Sequence, residues 1–381
     1  MTEKIYYKDA YIKEFDSEIV SVTSLDDGKF DVVLSATAFF PEEGGQSSDK
    51  GLIGCAKVVH AYEEDLCVHH ITDAHPGEGC VHCTLDFAER YDKMQCHTAE
   101  HILCGIIHRL FGLENVGFHL GTDEITFDVD GVLTREDLDR VETLANEAVF
   151  ANIPIETSFP RPDELPMLTY RSKLELTENV RIVKIGEVDT CACCAPHVAR
   201  TGEIGLIKIL DFEKHRGGLR IRMVAGARAL LDYRTKYANI KEISALLSEP
   251  QHTTAEALGR LLADFEETRA RLKASRLELA REIAKREEGS EGNAVFVFSE
   301  WTLDELREFS NTMIDRVGGI LVTLCGAEGD YKYIISSKTV NLTQSIKEIN
   351  SALTGRGGGK PGMVQGSFAS SLEEIKAYFL N

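Results

Sequence analysis

Apolar and polar residues alternate with a period of two along much of the first 90 residues, the pattern of strands with one buried face. The alternation is clearest at residues 18–22 and 30–34, and Asp27-Gly28 between them has the chemistry of a hairpin turn. Further strands are predicted at 52–60 and 66–71. Because short strands with close turns are typical of small barrels, we expect residues 1–90 to form a β-barrel domain.

From about residue 91 the apolar spacing becomes helical, and helices and strands then mix up to residue 228. Ile102, Ile106 and Leu110 follow the helical period. A second helix is predicted after Thr134, which has Asp137 three residues on as a capping partner. Strands are predicted at 117–120, 124–129 and 180–185. We therefore expect an α+β domain at 91–228, in which the last strand leads into a cysteine-rich loop.

Residues 229–290 are predicted to be helical and strongly charged. Thr253 and Glu256 have the spacing of a capping box, and the helix that they open would run to about residue 286, on the order of 50 Å. Apolar residues recur there at every seventh position, namely Leu258, Phe265, Leu272 and Leu279. Charged residues interrupt the complementary positions, so we expect an antiparallel helical hairpin rather than a sustained coiled coil, with a linker at 287–293.

The segment 291–381 is predicted to be a small α/β domain, which makes the whole chain α+β. Strands are expected at 294–298, 319–325 and 331–336, and a helix at 303–317. A glycine-rich stretch at 354–366 contains Arg356, Gly357, Gly358, Gly359 and Lys360. Backbone amides and cations so combined can cradle an anion, so we expect a loop that contacts RNA phosphate or a partner chain.

The composition, with 43% hydrophobic residues among 381, is that of a folded chain. No run of about 20 apolar residues occurs, and the first residues lack the apolar stretch of a signal peptide. We therefore expect a soluble, cytoplasmic protein with no membrane partner. Of the ten cysteines, three lie in the sequence 191–194, which favours reduced thiols and metal binding over disulfides.

The net charge of −20 argues against indiscriminate binding of polyanions, because phosphate contacts depend on Lys and Arg. It does not exclude a nucleic-acid partner, since basic residues concentrate locally at 214–222. That segment fits either a nucleic-acid contact or a solvated hairpin with alternating charges.

Two histidines four residues apart, His97 and His101, lie in the sequence His-Thr-Ala-Glu-His of the first predicted helix. This spacing places both imidazoles on one helix face, where they supply half of a zinc site. Much later the sequence Cys-Cys-Ala-Pro-His at 193–197 adds thiols and another imidazole. Cys and His together are the ligands that tetrahedral zinc accepts, so we predict one Zn²⁺ per chain. Spacing alone favours neither Cys193 nor Cys194.

The helix motif leaves three functions open. His-x-x-Glu-His matches the inverzincin peptidases, in which Glu100 would activate a zinc-bound water. The same helix resembles that of S-ribosylhomocysteine lyases, which likewise recruit a cysteine. A third alternative is a protein without catalysis that keeps structural zinc and binds RNA or dimerises. A closed shell of four protein ligands favours the third alternative, whereas an open position favours an enzyme.

Four motifs in order resemble the free-standing alanyl-tRNA editing proteins, relatives of the editing domain of alanyl-tRNA synthetase. The family's barrel loop, Thr-x-Phe-Tyr-Pro-Glu-Gly-Gly-Gly-Gln, corresponds to residues 37–46, with Phe40 and Glu43 as departures. The His-x-x-x-His helix follows, then a Cys-x-x-x-His element with Thr-Gly-Glu-Ile-Gly after it at 201–205, and finally a DHH-associated domain. The family's Cys-Gly-Gly-Thr-His reads Cys-Cys-Ala-Pro-His here, which keeps both ligand positions.

The resemblance implies hydrolysis, in trans and without ATP, of serine or glycine wrongly attached to tRNA(Ala), a step of translation fidelity. It assigns the thiolate to Cys193, with His97, His101 and His197 as the other ligands. It places the Thr37 hydroxyl against the substrate serine, with Gln46 and His119 shaping the pocket. Glu100, next to His101, is the candidate general base or an exposed helical carboxylate. A homodimer through the carboxyl-terminal domain is also expected.

Overall fold

The computed structural model describes residues 1–121, 125–172, 179–286 and 290–380. Helices and strands mix in several sheets, so the expected α+β class is confirmed. The chain divides into two compact units, Met1–Ile240 and the part from Lys241 onward. Glu124 of a predicted strand and 287–289 of the predicted linker lie outside the described residues. No described helix combines the length and apolarity needed to cross a membrane.

The first unit begins with eight strands, most of them short. They are β1 Glu3–Lys4, β2 Glu14–Ser24, β3 Phe30–Leu34, β4 Ala36–Thr37, β5 Gly51–Ile53, β6 Ala56–Glu64, β7 Cys67–Thr72 and β8 Cys80–Leu85. Six of them close a barrel in the order β2-β3-β7-β6-β5-β8, while β1 and β4 form a parallel pair. Strand β8 is absent from the expected strands, although Val81, Cys83 and Leu85 alternate into the barrel core.

The rest of the first unit combines helices with two antiparallel sheets. Its elements are α1 Phe87–Phe111, β9 Asn115–Leu120, β10 Ile125–Val129, α2 Arg135–Phe150, β11 Ile155–Ser158, β12 Ile182–Ile185, β13 Asp189–Ala192, β14 Ile207–His215, β15 Gly218–Ala225 and α3 Gly226–Leu247, whose last seven residues belong to the second unit. The sheet orders are β14-β15-β10-β9 and β11-β12-β13. The predicted capping box of α2 is present, because Thr134 and Asp137 bond each other's backbone amides.

Helix α1 is the central element of this unit. Asp86 accepts a hydrogen bond from the amide of Glu89 and begins the helix. Ile102 and Ile106 bury one face in a core shared with Leu138 of α2 and Phe127 of β10. The predicted apolar face of α1 is therefore the face that packs into the core. The histidines lie on another face of the helix.

The second unit contains a long helix and a mixed sheet. Its elements are α4 Thr254–Arg286, β16 Ala294–Phe298, α5 Leu303–Met313, β17 Ile320–Ala327, β18 Asp330–Ser337, α6 Leu342–Ala352, β19 Gly355–Lys360, β20 Met363–Phe368 and α7 Leu372–Leu380. The sheet order is β16-β17-β18-β20-β19. Ala280 of α4 shares a core with Phe309 and Met313 of α5. The end of α4 therefore packs against the domain that was predicted to begin at residue 291. The predicted helical hairpin of α3 and α4 stays a prediction.

The glycine-rich stretch forms a strand, and the expectation of a loop was wrong. β19 pairs antiparallel with β20 at the edge of the sheet. A Cβ on Gly355 would lie 2.6 Å from the Phe368 ring, and one on Gly357 would lie 2.4 Å from the Tyr333 hydroxyl oxygen. The glycines therefore allow the edge strand to lie close over this aromatic pair, a packing reason that needs no bound anion.

Candidate metal centre

Four side chains from two distant parts of the first unit converge. His97 and His101 lie one turn apart on α1, and Cys193 and His197 lie in the loop after β13. Their ligand atoms all lie within 4.8 Å of one another, and the four residues are buried or partly buried. Cys194 does not belong to this donor set.

Each imidazole is held through its Nδ1 atom by a separate partner. His97 Nδ1 lies 2.9 Å from Gln46 Oε1, and His101 Nδ1 lies 3.0 Å from Asp189 Oδ2. Because both partners accept, Nδ1 is the protonated nitrogen in each ring. Arg171 in turn binds both oxygens of Asp189 at 2.8 Å. This arrangement leaves Nε2 of both rings unprotonated for a ligand bond.

The third imidazole is oriented by a hydroxyl of α1. Thr98 donates its proton to the carbonyl oxygen of Met94 at 2.7 Å, so its oxygen accepts from His197 Nδ1 at 3.0 Å. His197 Nε2 then faces Cys193 Sγ, at 3.4 Å. Arg181 fixes the loop itself, because its Nη1 donates to the carbonyl oxygens of Cys193 and Ala195 at 2.9 and 2.8 Å.

The donor set fits zinc. A tetrahedral ion with ordinary Zn–S and Zn–N bonds holds sulfur and nitrogen ligands about 3.5 Å apart. Cys193 Sγ lies 3.6 Å from His97 Nε2 and 3.4 Å from His197 Nε2. One thiol and three correctly protonated imidazoles are a ligand combination that zinc accepts.

The pKa values of the two thiols distinguish Cys193 from Cys194. Burial alone would raise the pKa of the Cys193 thiol, but electrostatic interaction of its thiolate with the rings of His97, His197 and His101 holds that pKa well below its usual range. Burial raises the pKa of Cys194, with the thiolate of Cys193 adding to the effect. Burial also lowers the pKa of His197 to about 3, which keeps that imidazole neutral. The thiolate is therefore favoured at Cys193, as the family resemblance implied.

A cavity of about 890 Å³ adjoins the donor set. His97, His101 and Cys193 form part of its wall, whereas His197 does not line it. The Phe118 ring, also in the wall, lies 4.7 Å from the ring of His97. Three of the four clustered donors thus border a space large enough for a small ester.

Glu100 lies at the same cavity and is buried rather than an exposed helical carboxylate, with 4% of its surface accessible. Its Oε1 accepts from the Asn115 amide and from the Cys104 thiol, the latter at 3.2 Å. Glu100 is not one of the four clustered donors.

The structure brings Gln46 to the site but not Thr37. Thr37 is fully buried, donates to His70 Nε2 at 2.9 Å and accepts from the amide of Phe39, and it does not line the cavity. Gln46 is equally buried, and its Oε1 accepts a hydrogen bond from Nδ1 of His97. Gln46 therefore orients a candidate ligand and does not line the pocket. Arg90 of α1 binds Asp49 and the carbonyl oxygen of Ala38, which holds this loop in place.

His119 also lies away from the cavity. Neighbouring side chains of a strand point to opposite faces, and Phe118 of β9 faces the cavity while His119 is exposed. Sequence reasoning did not find the residues that hold the candidate ligands, namely Thr98, Asp189, Arg171 and Arg181, nor Asn115, which holds Glu100. Thr98 directly follows His97, and Asp189 lies two residues before Cys191. That proximity in sequence alone does not show which atom each residue would bind.

Two protein-family models match parts of this chain. The profile of the threonyl and alanyl tRNA synthetase second additional domain matches residues 180–222, and that of the DHHA1 domain matches residues 291–380. The C-Ala domain of Aquifex aeolicus alanyl-tRNA synthetase matches 25% of the chain at 23% identity, covering 94% of that domain, but its TM-score of 0.22 is too low to establish a shared fold.

Full-length relatives are more informative. The chain is 28% identical to the alanyl-tRNA editing protein Aarsd1 of Danio rerio, over 96% of this chain and 93% of the relative. It is 30% identical to the alanine–tRNA ligase of Halorubrum lacusprofundi, but covers only 42% of that longer protein. The alanyl-tRNA editing protein AlaX-L of Pyrococcus horikoshii is 30% identical over 98% of this chain and 96% of the relative. The chain belongs to the family of alanyl-tRNA editing proteins.

Proposed function

We propose that the protein hydrolyses the ester that joins a wrong amino acid, serine or glycine, to the terminal ribose of tRNA(Ala). The observation that supports this most directly is the set of three imidazoles and one thiolate at the wall of the 890 Å³ cavity. Family membership supports the same reaction class, because relatives along the full length are named alanyl-tRNA editing proteins.

In this reaction water adds to the ester carbonyl carbon, and the bond from that carbon to the ribose oxygen breaks. The products are a free amino acid and a tRNA whose ribose oxygen has taken up a proton. A zinc ion held by His97, His101, Cys193 and His197 would supply Lewis-acid activation of the carbonyl or of a water.

The chain's own side chains prepare this site before substrate arrives. Gln46, Asp189 and Thr98 each fix one imidazole through its Nδ1 atom, so the donors need no reorganisation to bind the ion. The Phe118 ring packs beside the ring of His97 in the cavity wall and adds an apolar surface next to the donors.

We also propose that the second unit contributes to tRNA binding. Arg356 and Lys360 are the second and sixth residues of the exposed edge strand β19, an even separation of four, so both side chains point to the same face of the sheet. A homodimer through this unit remains part of the proposal.

One alternative is favoured by a specific observation. Because all four donors are protein atoms within 4.8 Å of one another, the ion could be purely structural in a protein that only binds tRNA. No comparable observation on the described residues favours a peptidase or a lyase.

Deacylation of purified Ser-, Gly- and Ala-tRNA(Ala) tests the proposal, with uncharged tRNA as the binding control. We expect the serine and glycine esters to be hydrolysed well above the rate of the alanine ester and the chain to hold about one zinc. Cys193→Ala should lose zinc and activity, whereas the matched Cys194→Ala should keep both. A zinc-loaded protein that binds tRNA but leaves all three esters intact would support the structural alternative.

A further inference from the structure

Glu100 is a buried carboxylate whose orientation is fixed on one side. Its Oε1 accepts from the Asn115 amide and from the Cys104 thiol. Asn115 is itself held, because its Oδ1 accepts from the amide of Gly117 at 2.9 Å. Two neighbours thus hold one carboxylate oxygen at the cavity wall, and the described part of the chain supplies no hydrogen bond to Oε2.

The described residues also supply no cation to this carboxylate. Lys4 of the cavity wall is paired with Glu63 at 2.6 Å, and Arg171 is paired with Asp189 at 2.8 Å. Arg181 is directed at the carbonyl oxygens of the cysteine loop. A carboxylate removed from water without a positive partner is unfavourable, so a cation brought by the ligand would complete the site.

The position of Glu100 matches one group of an aminoacyl ester. Glu100 follows His97 by three residues and so neighbours it on the face of α1 that bears the donors. In any α-amino ester the nitrogen lies about 2.5 Å from the carbonyl carbon, as standard bond lengths require. An ester carbonyl placed at the donor set can therefore present its ammonium group to Glu100, which lines the same cavity.

We infer that Glu100 binds the α-ammonium group of the aminoacyl ester through Oε2, and that it is a substrate-binding residue rather than the general base. This inference rests on the proposed function. It specifies the substrate class as esters with a free α-amino group, which serine and glycine share. Glu100 thus recognises the common part of the two substrates and does not discriminate between their side chains.

The test compares Ser-tRNA(Ala) with N-acetyl-Ser-tRNA(Ala), which lacks the positive charge. Glu100→Gln should lower kcat/KM for Ser-tRNA(Ala) about ten- to a hundredfold, the usual effect of losing a hydrogen bond between charged groups, and should change the N-acetyl substrate little. Zinc content should stay at the wild-type value. Glu114→Gln is the control, because Glu114 also borders the cavity but is half-exposed and paired with His108, so it should leave the ratio of the two substrates unchanged.

Equal losses on both substrates would overturn the inference and would indicate that Glu100 acts on the water or the ribose. A binding measurement separates this inference from the proposed hydrolysis. Calorimetry with the amide analogue 3′-seryl-amino-adenosine and its N-acetyl form should show tighter binding of the free amine, and Glu100→Gln should abolish the difference. Equal binding of the two analogues by the wild-type protein would contradict the ammonium site even if the esters are hydrolysed.

Discussion

At the scale of single residues, Thr37 shows how a motif residue can act inside the barrel rather than at a substrate. His70 donates from Nδ1 to the carbonyl oxygen of Val32 at 3.0 Å, so its Nε2 accepts the proton of Thr37. Burial lowers the pKa of His70 to about 4 and keeps the ring neutral. Thr37 therefore satisfies a buried imidazole and has no proton left to donate to a serine hydroxyl.

Thr37→Val should consequently destabilise the fold without changing the preference between serine and glycine. The buried Nε2 of His70 would lose its donor, which costs about 1 to 3 kcal/mol in the free energy of unfolding, measurable by urea denaturation. Thr23→Val is the control, because Thr23 lies exposed on β2, and its effect should stay within about 0.5 kcal/mol. A selective loss of Ser-tRNA hydrolysis at unchanged stability would instead place Thr37 at the substrate.

The three histidines of the donor set could be predicted from sequence and Cys193 only through the family resemblance, but the partners of the imidazoles could not be predicted. Two histidines four residues apart on a helix lie on the same face, so His97 and His101 can be predicted as a ligand pair from one segment of the sequence. The bond of His101 to Asp189 depends instead on how α1 packs against β13, and no local pattern specifies that contact. The choice between Cys193 and Cys194 likewise follows from the direction of each side chain in a loop, which spacing leaves open.

At the scale of elements, the cluster of four candidate donors depends on a close approach between α1 and the turn before β13. A Cβ placed on Gly105 would lie 2.5 Å from the carbonyl oxygen of Val188 and 2.6 Å from Cβ of Asp189. Gly105 therefore lets the helix contact the segment that holds Asp189, the partner of His101. The distance between α1 and the start of β13 therefore affects the orientation of His101.

Gly105→Ala should weaken zinc binding although alanine favours helices. The added methyl group would push Asp189 away from His101, and loss of such a ligand partner typically lowers metal affinity ten- to a hundredfold. Gly259→Ala in α4 is the control, since a Cβ there meets nothing within 4 Å and should gain up to about 1 kcal/mol of stability. Competition with a zinc-chelating dye measures the affinity. Unchanged affinity in Gly105→Ala would show that the helix and strand can separate without disturbing the site.

Helices and strands with a regular apolar period can be predicted from the sequence. A glycine-rich strand, which has no such period, cannot. Residues 294–298 and α2 were predicted at or near their observed bounds because apolar period and capping residues agree there. Strand β19 is not predictable from its sequence because glycine contributes no alternation to detect. Its place at the sheet edge is determined by β20, a pairing that a local pattern cannot reveal.

At the scale of the whole molecule, an acidic chain is proposed to bind a polyanion, which requires a local basic surface. The net charge of −20 makes general attraction to RNA unfavourable. Arg356 and Lys360 are exposed on one face of β19, about 13 Å apart at the usual rise of a strand, and no described acidic residue pairs with either. Two such cations can contact separate phosphates while the acidic remainder disfavours other RNA surfaces.

Replacing both cations, in Arg356→Ala/Lys360→Ala, should weaken binding of tRNA and reduce its dependence on salt. Each phosphate contact contributes about 0.7 to 0.9 to the slope of log affinity against log salt, so the slope should fall by about 1 to 2. Zinc content and hydrolysis of a short seryl-minihelix should not change. Lys332→Ala/Lys338→Ala is the matched control, because it removes the same charge from residues already paired with Asp330 and Asp315. An equal change of slope in both variants would mean that total charge, rather than the position of Arg356 and Lys360 on the edge strand, governs RNA binding.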